Sequence, residues 1–279
     1  MLAEVAGAEG LNSAANPVDF LRRNQELYDN IDSPVWRLAV YEPVFGGARY
    51  INMGGAPLVT ELIDMLGIGV NDPILDLGCG TGDLAGRICS LTGCHTTGVE
   101  MNARQAERAR ETAQGLTRGR LEIAHADATR WSSFRQFKAV YSIDTLMLIP
   151  DWPAFLHVAR RALSDQGTAF LATVILDDGL SESERRAFWE EDGFVALLRK
   201  PDAERQFTDA GFARQQWTCK DEWALACLGR IDAALHAEQQ AIRHMMGDAA
   251  WQNWVEINAV YLECFRSRKL TYAMVMARP

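Results

Sequence analysis

Three glycines stand at alternate positions, Gly78, Gly80 and Gly82, directly after a short apolar run that ends at Leu77. Glycine accepts a positive φ and lets a ligand approach the backbone with no Cβ in the way. Asp76 precedes the first glycine by two positions, and its carboxylate would repel a pyrophosphate but would suit a cationic ligand. The stretch therefore predicts a buried strand, a tight turn and the start of a helix, arranged to bind a ligand that carries positive charge.

Two alternatives stand beside this interpretation. A dinucleotide-binding turn has the spacing Gly-x-Gly-x-x-Gly and places a pyrophosphate on the helix N-terminus, whereas this chain has Gly-x-Gly-x-Gly. The glycines could also serve a turn that binds no ligand. In each case Thr81 and Asp83 are predicted to cap the following helix, over residues 84–91.

Acidic residues also follow the later predicted strands. Glu100, Asp127 and Asp144 each come directly after such a strand. A carboxylate at the end of the second strand can accept hydrogen bonds from both hydroxyls of a ribose. Because ligands of such sheets bind beyond the carboxyl ends of the strands, we expect these residues and Asp76 to face a cationic nucleoside. Asp127 has a plainer alternative, since a loop Asp often caps a turn.

The elements that must position these residues alternate regularly. Up to residue 176 the predicted order is strand, helix, strand, helix, strand, strand, helix, strand, which is typical of a doubly wound parallel sheet. A charged helix is predicted over residues 181–191, with further helical pieces over 195–200 and 203–210. The seven predicted strands are residues 74–77, 94–99, 121–126, 139–143, 168–176, 212–219 and 270–277.

The rest of the chain is predicted to cover this sheet. Residues 18–28 and 34–41 are predicted helices, and residues 41–55 have the aromatic and glycine content of a lid or, alternatively, of an anchored surface loop. Two long amphipathic helices, over residues 221–246 and 249–269, precede the last strand. We therefore predict an α/β fold with a doubly wound, mostly parallel seven-stranded sheet, an N-terminal helical lid and a two-helix cap inserted before the last strand. The corresponding segments are 1–55 for the N-terminal helices and lid, 56–220 for the α/β core, 221–269 for the cap and 270–279 for the last strand.

Composition restricts the class of partner. The formal net charge of −9 argues against nucleic acid, because phosphate binding needs concentrated Lys and Arg. No run of about 18 apolar residues is present, so we expect no membrane span, and residues 1–17 lack the basic start of a secretory signal. None of the six cysteines has the spacing of a metal site, which predicts reduced thiols, no metal ion and a cytoplasmic location. We expect a monomer or a homo-oligomer.

Residues 76–82 resemble the first motif of the class I S-adenosylmethionine (SAM)-dependent methyltransferases, Asp/Glu-x-Gly-x-Gly-x-Gly, at every defined position. Residues 98–102 resemble the second motif, and the likeness extends over residues 58–176. From residue 41 onward, the aromatic segment and the helical insert look like the small-molecule group, which includes phosphoethanolamine, sarcosine/dimethylglycine, sugar-O- and terpenoid-C-methylating enzymes. The resemblance implies SAM as the cofactor and methyl transfer to an O, N or C atom of a small-molecule metabolite.

The resemblance also implies roles for individual residues at the sheet edge. Glu100 would bind the ribose, Asp127 the adenine amino group, and Met101 would pack against adenine. The methionine part would lie against the glycine turn, and the backbone at the end of the fourth strand would lie near the sulfonium. The implied cofactor-binding residues are Asp76, Gly78, Cys79, Gly80, Glu100, Met101, Asp127, Ala128, Ser142 and Ile143.

One departure from this group concerns the acceptor. Several related enzymes carry a His shortly after the fourth strand, where this chain has Leu148, so a His base is absent there. His236 and Glu256 in the predicted cap become the leading candidates for a general base, with Tyr50 as a third catalytic candidate. A residue of either type in such a helix is more often an ordinary surface or core residue than a base. The aromatic residues of the cap suggest an apolar or aromatic acceptor, and core packing explains them about as well.

Three other functions compete with methyl transfer as interpretations of the same motifs. The fold could use bound SAM for other chemistry, such as cyclisation or decarboxylation. It could be a non-catalytic partner protein, although such a protein would be expected to have lost the glycine motif or Glu100, and both are present. A nicotinamide oxidoreductase is opposed by the glycine spacing and by Asp76.

Overall fold

The structure is a computed structural model that describes residues 8–10, 33–177 and 179–279. The helix predicted over residues 18–28 lies outside the described residues. Among those that are described, no helix is both long enough and apolar enough to cross a lipid bilayer.

A seven-stranded sheet forms the centre of the molecule. Its strands are β1 (Pro73–Leu77), β2 (His95–Glu100), β3 (Arg120–His125), β4 (Phe137–Ile143), β5 (Leu163–Leu176), β6 (Arg214–Cys219) and β7 (Leu270–Arg278). They lie in the order β3-β2-β1-β4-β5-β7-β6. Neighbours from β3 to β5 are parallel, whereas β7 is antiparallel to both β5 and β6. The predicted doubly wound, mostly parallel sheet is confirmed.

Helices pack on both faces of this sheet. They are α1 (Gly55–Leu66), α2 (Asp83–Thr92), α3 (Ala103–Gln114), α4 (Trp152–Ala162), α5 (Glu182–Asp192), α6 (Lys200–Asp209), α7 (Asp221–Ala237), α8 (Gln239–Met246) and α9 (Asp248–Arg266). Neighbouring residues of β1, Ile74 and Leu75, belong to different apolar clusters. Because successive strand side chains point to opposite faces, each face of the sheet carries its own core.

Several helix ends follow from local sequence signals. Gly67 ends α1 in the left-handed conformation. Asn102 begins α3 by accepting a hydrogen bond from the Gln105 amide at 2.9 Å. Ser181 and Glu184 form a capping box at the start of α5.

The start of α2 differs from the prediction. Its N-cap is Gly82, which has a φ of 73° and offers no side chain to the helix. The Thr81 hydroxyl lies instead within hydrogen-bond distance of Asp83 Oδ2 (2.9 Å) and of the Arg49 carbonyl oxygen (3.1 Å). The residues predicted as caps thus fasten the segment around Arg49 to the glycine turn.

Two further elements differ from the sequence prediction. Residues 195–200, predicted to be helical, contain a short strand, Ala196–Leu198, which pairs antiparallel with Ala8–Gly10. The first long helix is divided at Glu238 into α7 and α8, so three helices stand between β6 and β7 rather than two.

The helical segment over residues 34–45 packs against these three helices. It contains Pro34–Trp36, a π-helical stretch Arg37–Tyr41, and Glu42–Phe45. Its buried side chains join Cys227, Leu235 and Ile242 in an apolar cluster that is separate from the two clusters of the sheet. The segment 34–45 and the cap helices α7–α9 therefore form one additional layer of packing.

Candidate active site

The glycine turn has a shape that glycine adopts without strain. Gly78, Gly80 and Gly82 have φ values of 84°, 55° and 73°. The Gly78 amide donates a hydrogen bond to the carbonyl oxygen of Val99 on β2 at 2.9 Å. A Cβ at Gly78 would lie 2.6 Å from Thr145 Cγ2, which leaves no room for a side chain. The predicted tight turn is confirmed, and it brings bare backbone to the carboxyl edge of the sheet.

Asp76 lies within the sheet immediately before this turn. It pairs with Gly98 on one side and Tyr141 on the other, and it is 2% exposed. Burial raises the pKa of Asp76 to about 8; the Tyr141 hydroxyl opposes this rise and the charge of Glu100 adds to it. None of the ion pairs found in the described part of the chain involves Asp76. A cationic ligand would supply the missing positive charge and favour the ionised carboxylate.

Glu100 is fixed against the glycine turn. Its Oε2 accepts a hydrogen bond from the Gly80 amide at 2.9 Å, and its Oε1 accepts one from the Asn102 amide at 2.7 Å. Burial raises the pKa of Glu100, and these amides oppose the rise. Each carboxylate oxygen can accept a further hydrogen bond, so Glu100 keeps the capacity to bind two sugar hydroxyls.

Asp127 lies at the carboxyl end of β3. Its Oδ1 accepts hydrogen bonds from the Thr129 amide (2.8 Å) and hydroxyl (2.7 Å), which makes it the anchor of a local turn. Its Oδ2 stands 3.8 Å from Arg130 Nε. The turn-capping interpretation of Asp127 is therefore correct, and Oδ2 still leaves an acceptor for an adenine amino group.

These residues line one continuous cavity of about 860 Å³. Ser142 does not line it: this side chain is buried, and its hydroxyl donates to the Leu77 carbonyl oxygen at 2.7 Å, which ties β4 to β1. The other nine predicted cofactor-binding residues do line the cavity, namely Asp76, Gly78, Cys79, Gly80, Glu100, Met101, Asp127, Ala128 and Ile143.

The opposite half of the cavity lies between the segment 34–45 and the cap helices. Its lining is mostly apolar and includes two tryptophans, Trp36 and Trp254, whose rings meet edge to face at 5.3 Å. Further apolar side chains that line this half are Val35, Val40, Phe45, Ile231, Leu235, Met245, Met246 and Ile257. A pocket of this size and lining suits a small organic molecule.

The structure corrects the assignment of His236 and Glu256 as bases, because neither lines the cavity. The His236 side chain is 55% exposed, and its Nδ1 lies 2.8 Å from the Asp232 carbonyl oxygen. Glu256 is exposed and accepts a hydrogen bond from Gln252 at 3.0 Å. On α9 the cavity face carries Trp254, Ile257, Asn258 and Tyr261, a spacing that turns position 256 away from it.

Tyr50, the third catalytic candidate, does line the cavity. Its ring packs on Phe45 with centroids 5.0 Å apart, and burial raises the pKa of its hydroxyl. Residues 49–53 all line the cavity, which supports the interpretation of this segment as a lid over that of a surface loop.

Sequence reasoning did not single out several polar residues that line the cavity, among them Asn52, Gln105 and Asn258. Asn52, which is 1% exposed, has no partner for either amide atom. Asp144 accepts a hydrogen bond from the Met53 amide on Oδ2 at 2.7 Å, while its Oδ1 has no partner within hydrogen-bond distance. The position of Asp144 after β4 predicts that it lies at the sheet edge, but nothing in the sequence singles out Asn52.

The residues present fit SAM. The ligand would bring a positive charge to Asp76, which lacks a cationic partner, and ribose hydroxyls to Glu100, whose oxygens keep acceptor capacity. The bare backbone of the turn gives room for its methionine part, since a Cβ at Gly78 would collide with Thr145.

Comparison with known proteins agrees with this geometry. Residues 74–167 match the family model described as "Methyltransferase domain". An O-methyltransferase of Pyrenophora dematioidea is 29% identical over 165 residues, which cover 58% of this chain and 62% of that protein. The chain thus spans less than two thirds of that relative.

Two solved structures share the fold. Phosphoethanolamine N-methyltransferase 2 of Haemonchus contortus, solved with phosphomonomethylethanolamine and S-adenosylhomocysteine (SAH), has a TM-score of 0.79 at 21% identity over 94% of this chain and 59% of that one. A mycolic acid cyclopropane synthase, solved with SAH and CTAB, has a TM-score of 0.81 at 16% identity, over 92% and 98% of the two chains. The domain match, the glycine turn and the sheet order together support a SAM-dependent methyltransferase domain over residues 74–167.

Proposed function

We propose that the protein transfers a methyl group from SAM to a small-molecule metabolite. The observation that carries this proposal is a single cavity with two unlike halves. One half holds buried carboxylates at a glycine turn, and the other is enclosed by apolar side chains of the segment 34–45 and the cap. A cofactor and an organic acceptor placed in these halves would meet inside the protein.

Within the cofactor half we assign roles to the residues that line it. Asp76 attracts the ammonium of the methionine part, Glu100 accepts from the ribose hydroxyls, and Asp127 Oδ2 accepts from the adenine amino group. Met101 and Ala128 border the adenine. Bound SAM supplies a methyl group on a positively charged sulfur, so the chain has to align the acceptor, keep water out and, for an acceptor that carries a proton, accept that proton.

The segments divide this work between them. Residues 56–220 and 270–279 form the core that holds the cofactor, while the cap over residues 221–269 and the described part of 1–55 enclose the acceptor. Tyr50 sits where these parts meet and stays a candidate for contact with the acceptor. The cytoplasmic location, the absence of a nucleic-acid partner and the oligomeric state stay predictions from the sequence.

Calorimetric titration with SAH tests the cofactor half. SAH is expected to bind with a micromolar Kd, and NADH is expected not to bind. Asp76→Asn and Glu100→Gln should each weaken SAH binding at least about tenfold, because each removes a charge-assisted contact. Glu107→Gln, an equivalent change on the exposed face of α3, should leave the affinity unchanged. A preference for NADH, or unaltered SAH affinity in both site variants, would overturn the proposal.

Incubation with methyl-labelled SAM and a metabolite extract tests the transfer itself. Label is expected in a product that partitions into organic solvent, with SAH formed in equal amount. SAH binding without any labelled product from a broad extract would favour the alternative of SAM-bound chemistry that does not transfer the methyl group.

A further inference from the structure

The acceptor half of the cavity carries little positive charge. Among the described residues that line the cavity, Arg49 is the single Lys, Arg or His, and it lies at the cofactor end beside the glycine turn. Five carboxylates line the same space: Asp76, Asp83, Glu100, Asp127 and Asp144. A phosphate or carboxylate on the acceptor would lack here the cationic groups that bind such anions elsewhere. The charge distribution thus disfavours an anionic acceptor.

The apolar lining indicates what the acceptor should be instead. Trp36 and Trp254 meet edge to face, and Phe45 and Tyr50 pack at 5.0 Å on the same side of the cavity. Flat aromatic walls of this kind contact rings and apolar chains with large buried area. An uncharged molecule that is mostly hydrocarbon would be extracted from water by this half of the site.

Asn52 and Asp144 are polar residues of this lining that carry side-chain atoms without a hydrogen-bond partner. The amide of Asn52 has no partner, and Asp144 Oδ1 has none within hydrogen-bond distance, although the Tyr272 hydroxyl is close enough to lower the pKa of this carboxyl. Buried polar groups are ordinarily hydrogen-bonded, so unpartnered ones in a cavity wall indicate a place where a ligand supplies the missing partner. The terminal torsion of Asn52 is soft, so a small rotation can turn an amide atom toward a ligand.

The backbone at Asp144 supports the same conclusion. Asp144 has a φ of 51°, in the left-handed region that residues other than glycine seldom adopt. Strain of this kind persists where surrounding contacts fix it, and it concentrates at functional sites. Here the Met53 amide holds Oδ2 at 2.7 Å, while Oδ1 has no partner within hydrogen-bond distance.

We infer that the acceptor is an uncharged, largely hydrocarbon molecule with a ring and a hydroxyl at its reacting end, and that Asn52 and Asp144 recognise this hydroxyl. The inference rests on the proposed methyltransferase function and adds the class of acceptor to it. Asp144 Oδ1 accepts the hydrogen bond from the hydroxyl, and the Asn52 amide binds the hydroxyl oxygen. When Asp144 is ionised, the hydroxyl proton passes from that oxygen to Oδ1.

Burial prepares Asp144 for this role. It raises the pKa of Asp144 to about 7, and the Met53 amide and the Tyr272 hydroxyl oppose the rise. A carboxyl with a pKa near neutrality can take and release a proton under ordinary conditions. Two more titratable groups lie near Asp144. Burial raises the pKa of the Cys227 thiol on α7 to about 12, although the charge of Arg230 opposes this rise, and burial also raises the pKa of the Tyr272 hydroxyl, so both groups stay neutral.

Calorimetry on the full chain saturated with SAH tests the inference without requiring turnover. The probes are 4-hexylphenol, 2-naphthol and oestradiol, each paired with the counterpart that has hydrogen in place of the phenolic hydroxyl, together with phosphoethanolamine. At least one phenol should bind in the micromolar range and at least about tenfold more tightly than its counterpart, because loss of the hydroxyl leaves buried groups unpaired. Phosphoethanolamine should not bind.

Two near-isosteric variants should remove this preference. Asp144→Asn keeps an oxygen for the Met53 amide but places an NH2 group at the Oδ1 position, so the site loses its acceptor. Asn52→Leu keeps the volume and removes the amide. In both, the phenol preference should fall at least about tenfold. Ile231→Ala, which shortens an apolar wall residue, should weaken both members of a pair alike and keep their ratio.

SAH affinity distinguishes a failure of the proposed methyltransferase function from a failure of the inference about the acceptor. Failure of the unaltered protein to bind SAH would contradict the proposed function itself. With SAH bound, a lack of binding by every phenol, tight binding of phosphoethanolamine, or an unchanged preference in both variants would overturn the inference and leave the cofactor site intact. Retained SAH affinity in Asp144→Asn and Asn52→Leu shows that the variants are folded.

Discussion

Binding of SAH should weaken steeply as the pH falls from about 8 to about 6, because Asp76 has to be ionised to attract the ligand's ammonium group. Burial raises the pKa of Asp76 to about 8 in the ligand-free protein. At pH 7 about one molecule in ten then carries an ionised Asp76, and at pH 6 about one in a hundred. Apparent affinity scales with the competent fraction, so Kd should rise about fivefold from pH 8 to 7 and about tenfold more from pH 7 to 6.

Calorimetry in two buffers with different ionisation enthalpies measures this effect directly. Close to one proton should be released for each SAH bound at about pH 6, and about half a proton at about pH 8. Asp76→Asn should bind more weakly at pH 8 and lose most of the pH dependence, while the part that survives belongs to Glu100, whose pKa burial also raises. A Kd that changes less than about twofold over this range, with no proton released, would refute the claim that Asp76 is largely protonated without ligand and ionises when the ammonium group binds.

Two other predictions concern stability. The contribution of Asp76 should make the ligand-free protein less stable as the pH rises from about 4 to about 8. A carboxyl whose pKa is higher in the folded than in the unfolded state favours folding at low pH and loses that contribution as it ionises. Chemical denaturation should therefore show that the free energy of unfolding changes less steeply with pH in Asp76→Asn than in the unaltered protein. Gly78→Ala should lower the free energy of unfolding by at least about 2 kcal/mol, because it forces an alanine to a φ of 84° against Thr145. Gly229→Ala in α7, where a Cβ meets nothing within 4 Å, should be neutral or slightly stabilising in the same denaturation experiment.

The sheet and the cofactor half could be predicted because their signals are local. A buried parallel strand is a short apolar run, and the end of such a strand is marked by the residue that follows it. Asp76, Glu100 and Asp127 could therefore be placed at one edge before any contact between them was known. The same holds for helix ends such as Gly67 and Asn102, where one residue determines the cap.

The elements that differed depend on distant partners. Residues 196–198 are Ala-Leu-Leu, which favours a helix on propensity, and they form a strand because Ala8–Gly10 lies alongside. The division of the first cap helix at Glu238 has no Pro or Gly to mark it. Propensity is a weak indicator, and tertiary contacts override it at such places.

The acceptor side was harder to predict for a related reason. Residue type suggested His236 and Glu256, but a base must also lie on the helix face that lines the cavity. On α9 that face carries Ile257 and Tyr261, which line the cavity and belong to the same apolar cluster as Ile74 of the sheet. A helix rotation of about 100° per residue separates Glu256 from Ile257, and the sequence alone did not show which of them would be buried. Asn52 was missed because its burial depends on packing against α7, through the Cys227 contact with its carbonyl oxygen.

The segment over residues 49–53 links the two halves of the cavity, and this explains why polar residues lie where they do. At one end the Arg49 amide donates to Asp83 Oδ1 beside the glycine turn, and at the other the Met53 amide donates to Asp144. Both anchors are carboxylates that also line the cavity. The segment 49–53 is therefore held at one end by the cofactor half and at the other by the acceptor half. A ligand that binds in either half contacts a segment whose position also depends on the other half. The unpartnered amide of Asn52 lies within the segment 49–53, so the glycine turn that binds the cofactor also helps to position the amide that binds the acceptor.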